Sequence, residues 1–217
     1  MKMNEIYSPK IKICGLFREE DIAAVNKAKP DYCGFIIDYP KSHRSLTPAK
    51  AYTLRQQLSP EIKAVGVFVN APFTLVAEMI RYGAIDVAQL HGDEDEMYLD
   101  TLKSEVPDGE IWKVFKIDPR LSPAQAAKVF RASEKSLADM VLLDSGFGAG
   151  LTFDHSLIGN YGRPYIIGGG LNLNNISTVV AELRPYGVDV SSGVETDMLK
   201  DPEKIKEFVR IARGVFV

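Results

Sequence analysis

Thiols and imidazoles are scarce in this chain. Its 217 residues include two cysteines, Cys14 and Cys33, and three histidines. So few thiols exclude a disulfide scaffold, and the set offers no zinc-ligand spacing. No apolar run reaches the roughly 18 residues that a membrane-spanning helix needs. The opening MKMNEIYSPK has no apolar stretch of signal-peptide length, so export is not expected. Positive charge is not in surplus either. Twenty-six Lys and Arg face 29 Asp and Glu, a formal net charge of −3, which leaves no footprint for a phosphate backbone. A cytoplasmic chain with reduced thiols is expected, with neither nucleic acid nor membrane as partner. Residues that build a core are plentiful: 46% of the chain is hydrophobic and 25% charged, ordinary globular proportions.

Short apolar runs alternate with amphipathic stretches from end to end. Strands are predicted at 11–14, 33–37, 64–69, 86–90, 112–117, 139–143, 164–167 and 187–191. Each is nearly all apolar or β-branched, the pattern of a strand covered on both faces. Helices are predicted over 19–28, 48–58, 72–82, 94–104, 123–132, 175–184 and 202–213, with a short one near 154–160. Pro48, Pro123 and Pro202 each suit a first helical turn, and Asn174 and Asp201 are candidate caps. Eight strand–helix units of about 27 residues imply parallel strands with right-handed crossovers. Closure into one (β/α)8 barrel spanning 1–217 is therefore expected. An open doubly wound sheet is the competitor, but the first strand ends in Cys-Gly-Leu with no GxGxxG turn.

Barrel chemistry sits at the C-terminal ends of the strands, and the unusual residues collect there. Cys14 ends the first strand, Arg44 follows the second, Asn70 the third, His91 the fourth and Asp144 the sixth. Gly168-Gly169-Gly170 ends the seventh strand and Ser191-Ser192-Gly193 the eighth. Glycines where a strand meets a helix let backbone N–H groups approach an anion, and the helix dipole adds favourable potential. Two such clusters on adjacent strands, which include Gly169, Gly170, Ser192 and Gly193, point to a phosphorylated small molecule. Cys14 is a candidate base if cationic neighbours favour its thiolate. Asp144 is a candidate acid if a water-poor mouth raises its pKa. A base and an acid on either side of a sugar suit isomerisation. Arg44 can grip a carboxylate with two parallel bonds. His91 can orient substrate, since no second His or Cys has ligand spacing with it and no metal is expected. Asp189, inside the eighth strand, needs either a basic partner in the barrel or contact with a ligand. Cys33 reads as a small core hydrophobe.

The segments KICG (12–15), GFIIDYPKSHR (34–44), VGVFVN (65–70), QLHGDE (89–94), LLDS (142–145), GAGLTFD (148–154), GGGLN (168–172) and DVSSGVE (189–195) follow one another in order. Together they closely resemble the phosphoribosylanthranilate isomerases of tryptophan biosynthesis. The resemblance implies a phosphate-binding (β/α)8 barrel and a cofactor-free Amadori rearrangement. In it Asp144 corresponds to the general acid that opens the furanose. Cys14 corresponds to the base that takes the adjacent sugar proton, and Arg44 to the holder of the anthranilate carboxylate. Ala149, Leu151 and His155 depart from the family's usual residues in the loop after the sixth strand. The departures bear on loop contacts; the acid–base pair and phosphate segments are intact. Two other readings keep the barrel. One is a lyase like indole-glycerol-phosphate synthase or the tryptophan synthase α subunit, with a catalytic lysine or a glutamate pair at the mouth; the fifth strand ends near Lys116. The other is a barrel that binds a phosphorylated ligand without turnover. A monomer and a homodimer are equally compatible with the sequence.

Overall fold

A computed structural model describes residues 6–118, 120–144 and 161–216. Eight strands form a ring: β1 (Lys10–Cys14), β2 (Tyr32–Ile37), β3 (Lys63–Phe68), β4 (Val87–Leu90), β5 (Glu110–Lys116), β6 (Met140–Asp144), β7 (Tyr165–Gly168) and β8 (Gly187–Val190). Each is parallel to its neighbours, and β1 pairs with both β2 and β8, so the sheet closes. Among the described residues, seven α-helices lie between and after the strands: α1 (Glu19–Ala28), α2 (Pro48–Arg55), α3 (Phe73–Arg81), α4 (Glu96–Glu105), α5 (Pro123–Lys135), α6 (Ile176–Leu183) and α7 (Pro202–Arg213). The expected (β/α)8 barrel is the fold observed. The helix expected near 154–160 lies outside the described residues, as do Ala149, Leu151 and His155. Among the described residues no helix is long and apolar enough to cross a membrane.

The proline signals work as their chemistry dictates. Pro48, Pro123 and Pro202 each occupy a first-turn position whose missing N–H costs nothing there. Thr47, Ser122 and Asp201 precede them and accept from the exposed backbone amides of the first turn. The cap expected at Asn174 is misplaced by one residue. Asn175 precedes α6, and its side chain does not cap the helix. It accepts from Asn172 N at 2.8 Å and donates to Gly170 O at 3.0 Å, tying down the glycine turn after β7.

Strand alternation sorts the apolar residues into two bodies. One face of the sheet (Ile11, Ile13, Phe35, Phe68, Leu90, Leu143, Ile167) packs on Ile22, Val25, Leu54, Val76, Leu99 and Phe208 of the helices. The other fills the barrel with Tyr32, Val65, Val87, Trp112, Val114, Leu142 and Ile166. Removing such side chains from water contributes about 1.5–3 kcal/mol each. Trp112 closes the lower barrel, its ring edge-on to Tyr32 at 4.8 Å and its Nε1 donating to Glu110 at 2.8 Å. Further toward the strand C-termini the interior turns polar, with Lys12, Cys14, Gln89 and Asp189.

Candidate active site

Cys14 is the last residue of β1 and is 8% exposed. Two residues earlier on the same face stands Lys12, 1% exposed, whose Nζ donates to Asp189 Oδ1 at 3.0 Å. Asp189 thus has the basic partner that its burial requires. The ammonium also faces the Cys14 thiol. Burial alone would lower the Lys12 pKa, but Asp189 and Cys14 outweigh it and the net direction is upward. For Cys14 burial dominates and pushes the thiol pKa up, with Lys12 and Lys200 pulling against it and Asp189 adding to it. Burial thus favours the neutral thiol, and the two lysines favour its anion. Opposite it on β2 is Gly34. A Cβ there would lie 2.7 Å from Cys14 Sγ and 3.0 Å from Lys12 Nζ, so only glycine leaves both groups in place. Cys33 points the other way, fully buried against the helices, and burial pushes its thiol up as well.

Asp144 ends β6, separated from β1 in the ring by β7 and β8. Its Oδ2 lies 3.5 Å from His91 Nε2, and both side chains are about a quarter exposed at the mouth. A buried clasp holds His91 there. Glu94 takes Asn70 N at 2.7 Å on one oxygen, and Gly92 N at 2.9 Å and Lys113 Nζ at 2.8 Å on the other. Lys113 also donates to Gly92 O. Asn70, with φ at +53°, turns the chain after β3 so that its N–H meets this carboxylate. Deeper in the barrel, two residues before His91, Gln89 Oε1 is buried without a hydrogen-bond partner among the described residues.

Between Cys14 and Asp144 lie the two glycine turns. Gly169 and Gly170 have φ of +85° and +77°, the left-handed region where side chains are strained. Gly193 is required for a different reason. A Cβ on it would lie 1.9 Å from Leu171 O, so the loops after β7 and β8 touch backbone to backbone at this point. Gly169, Gly170, Ser192 and Gly193 are thereby brought together beside the start of α6, and Ser192–Val194 forms a single 3-10 turn.

Arg44 reaches the same mouth from the loop after β2. Its Nε and Nη2 donate to Glu195 at 2.8 and 2.6 Å, a bidentate pair. Lys200 Nζ, fully shielded, donates to the same carboxylate at 2.6 Å and to Ser191 O at 2.9 Å. Burial would raise the Glu195 pKa, but Arg44 and Lys200 prevail and hold it below the ordinary range. For Lys200 burial prevails over Glu195 and the pKa is lowered. The guanidinium fork expected to await a carboxylate is already half used.

Comparison with known proteins now decides the family. Residues 11–211 match the family model described as N-(5'phosphoribosyl)anthranilate (PRA) isomerase. A relative named N-(5'-phosphoribosyl)anthranilate isomerase, from Acetivibrio thermocellus, is 41% identical over 211 residues, covering 94% of this chain and 95% of its own. The chain belongs to the phosphoribosylanthranilate isomerase family. A solved phosphoribosylanthranilate isomerase in complex with reduced 1-(o-carboxyphenylamino)-1-deoxyribulose 5-phosphate matches with a TM-score of 0.79 and 31% identity, over 94% of this chain and 98% of that one. Monomers generated from the dimeric isomerase of Thermotoga maritima match equally well, with a TM-score of 0.79, 31% identity and the same coverage.

Within this isomerase barrel, the motifs that carry the resemblance converge on one rim. KICG supplies Lys12 and Cys14, QLHGDE supplies His91 and the Glu94 clasp, and DVSSGVE supplies Asp189, Ser191 and Glu195. Sequence reasoning alone left Lys200, Glu94, Lys113 and Gly34 without roles. The only available signal was charge or missing bulk inside otherwise apolar strands, as with Lys113 in EIWKVFK. Lys116 is exposed at the end of β5, in register with Asp144. It is not a desolvated lysine of the kind a lyase mouth would use.

Proposed function

We propose that the chain isomerises N-(5′-phosphoribosyl)anthranilate to 1-(2-carboxyphenylamino)-1-deoxyribulose 5-phosphate, with Cys14 as base and Asp144 as acid. The observation that carries this reading is the ring order. A thiol on β1 and a carboxyl group on β6 flank the two glycine turns of β7 and β8, where the phosphate would lie. In the reaction Asp144 gives a proton to the furanose oxygen, and the C1′–O bond breaks as the anilino nitrogen forms an iminium. The Cys14 thiolate then removes the proton at C2′, giving an enaminol that relaxes to the ketone. C2′ is oxidised and C1′ reduced within one molecule, so atoms and electrons balance. Lys12, fixed by Asp189, favours the thiolate form that accepts this proton, and His91 sets the position of Asp144. Arg44 faces the substrate carboxylate.

The test is turnover of freshly generated substrate, followed by loss of its anthranilate fluorescence. General acid and base groups contribute about 10²–10⁴-fold each, so Cys14→Ser and Asp144→Asn are expected to lower kcat by that order while phosphate-ligand affinity holds. Near-normal turnover in either variant removes the role given to that residue. No turnover by the native chain, with the ligand still bound, favours the non-catalytic reading. We place this activity in the cytoplasm, in a protein whose whole length is one folded unit. The Thermotoga dimer makes a monomer or a homodimer the states to test by sedimentation.

A further inference from the structure

The buried ammonium of Lys200 moves no proton in the steps above, and a lysine with a fully shielded side chain is costly unless its charge is used. It lies on the short strand Leu199–Lys200 that precedes α7. Its partners are Ser191 O at 2.9 Å, Ser191 Oγ at 3.4 Å and Glu195 Oε1 at 2.6 Å. Glu195 in turn has both oxygens on Arg44, with Nε on Oε1 and Nη2 on Oε2. The Nη1 group of Arg44 has no partner among the described residues, and the side chain is 18% exposed. The guanidinium is also confined. A Cβ on Gly15 would lie 2.6 Å from Arg44 Cδ and 3.1 Å from Ser191 Oγ.

An arginine locked to one carboxylate is a well-oriented but electrically neutral unit, and a neutral unit is a poor receptor for a second carboxylate. A second cation on the same glutamate changes that balance. Arg44, Glu195 and Lys200 together carry one net positive charge, and the guanidinium nitrogen not paired with Glu195 is Arg44 Nη1. We infer that Lys200 is a positioning residue for substrate recognition: it takes up the charge of Glu195, so that Glu195 fixes Arg44 without cancelling it. The same ammonium holds Ser191 O, and Ser191 Oγ donates to Cys14 O at 3.1 Å. The carboxylate end of the site and the base are thereby set by one buried cation. This inference rests on the proposed reading of Arg44 as the group that meets the substrate carboxylate.

The experiment titrates the full chain with reduced 1-(o-carboxyphenylamino)-1-deoxyribulose 5-phosphate and with the same compound lacking its ring carboxylate. The native chain is expected to prefer the carboxylated form by about tenfold or more. Lys200→Met should abolish that preference, weakening the carboxylated ligand about tenfold and the other less than about twofold. In turnover the rise in KM should exceed any fall in kcat, since the charge is lost from substrate recognition first. Lys200→Gln, which keeps hydrogen bonds but not charge, should behave alike and guards against a folding defect. The double variant Lys200→Met with Glu195→Gln restores one net charge and should recover most of the preference, which a merely structural lysine would not allow. Equal weakening of both ligands, weakening of neither, or no recovery in the double variant overturns the inference. A native chain that binds both ligands equally removes Arg44 from carboxylate recognition and this inference with it, leaving the acid–base pair standing. A native chain that binds neither removes the proposed substrate as well.

Discussion

Gly34→Ala adds a single methyl group at the point where the site has no room. The new Cβ would stand 2.7 Å from Cys14 Sγ and 3.0 Å from Lys12 Nζ. Comfortable heavy-atom contacts lie near 3.5–4.0 Å, so the thiol or the strand must retreat by about 1 Å. Neither neighbour moves easily. Lys12 is held by Asp189, and Cys14 ends a strand whose backbone is hydrogen-bonded on both sides. Overpacking of this kind costs about 1–3 kcal/mol, which for a chain of this size lowers Tm by roughly 2–4 °C per kcal/mol. The catalytic effect should be larger, because a displacement of about 1 Å at a reacting group costs about 10²-fold in rate. Two measurements check this: thermal unfolding, and kcat by fluorescence loss. The combination with Cys14→Ala isolates the cause. With the sulfur removed, Gly34→Ala should recover much of its lost stability, a coupling that distant residues do not show. A Gly34→Ala protein with native Tm and kcat within about threefold of native would refute the steric reading of this position.

Glu94→Gln should destabilise the chain by about 3 kcal/mol or more, because it leaves Lys113 buried without its counter-charge; urea unfolding measures it, and a loss under about 1 kcal/mol contradicts the clasp. Stability should also fall on acidification. Glu195 has a depressed pKa in the folded chain, so its contribution is present above the unfolded glutamate value of about 4.3 and is lost as pH falls through the folded value. Glu195→Gln should flatten that part of the pH–stability curve, and an unchanged slope below about pH 4.3 counts against the Arg44–Glu195–Lys200 cluster. In a Cys33→Ala background, alkylation of Cys14 should be slow at neutral pH and rise through the ordinary thiol value of about 8.5 and beyond, since burial raises this pKa. Lys12→Met should move the midpoint higher still, and a midpoint below about 8 in the native chain contradicts the burial argument.

The barrel was legible because its signals are local. Eight apolar runs, prolines in first turns and Ser, Thr or Asp before them are properties of a few adjacent residues, and α1 and α7 end where periodicity places them. The positions of Cys14, Asp144 and the two glycine turns follow from one topological rule about strand ends. What was not legible depends on contacts across the ring. Lys200 and Arg44 are 156 positions apart and meet only through Glu195, so no window of sequence can show the triad. Gly34 looked like a strand glycine until the neighbouring strand put a sulfur above it. The misplaced Asn174 cap has the same origin, since Asn175 is claimed by the backbone of Gly170 rather than by its own helix.

Two buried lysine–carboxylate pairs in this chain show how structural and functional charge can be told apart. In Lys113–Glu94 the carboxylate is 1% exposed and receives three donors, two of them backbone amides. It sits behind the sheet's mouth with no accessible lone pair, and its effect reaches the chemistry only by fixing the loop that carries His91. In Lys12–Asp189 the lysine is buried more deeply still, but the carboxylate is 13% exposed and shares its ammonium with the Cys14 thiol. A closed pair of the first kind offers little to a ligand, because its two charges are matched and shielded from solvent. An open pair of the second kind keeps part of its potential for a neighbouring anion, here the thiolate form of Cys14 that serves as base. The same distinction sets Arg44–Glu195 beside Lys12–Asp189. Both are incompletely closed, and both lie on the side of the barrel formed by β1, β2, β8 and the loops that follow them.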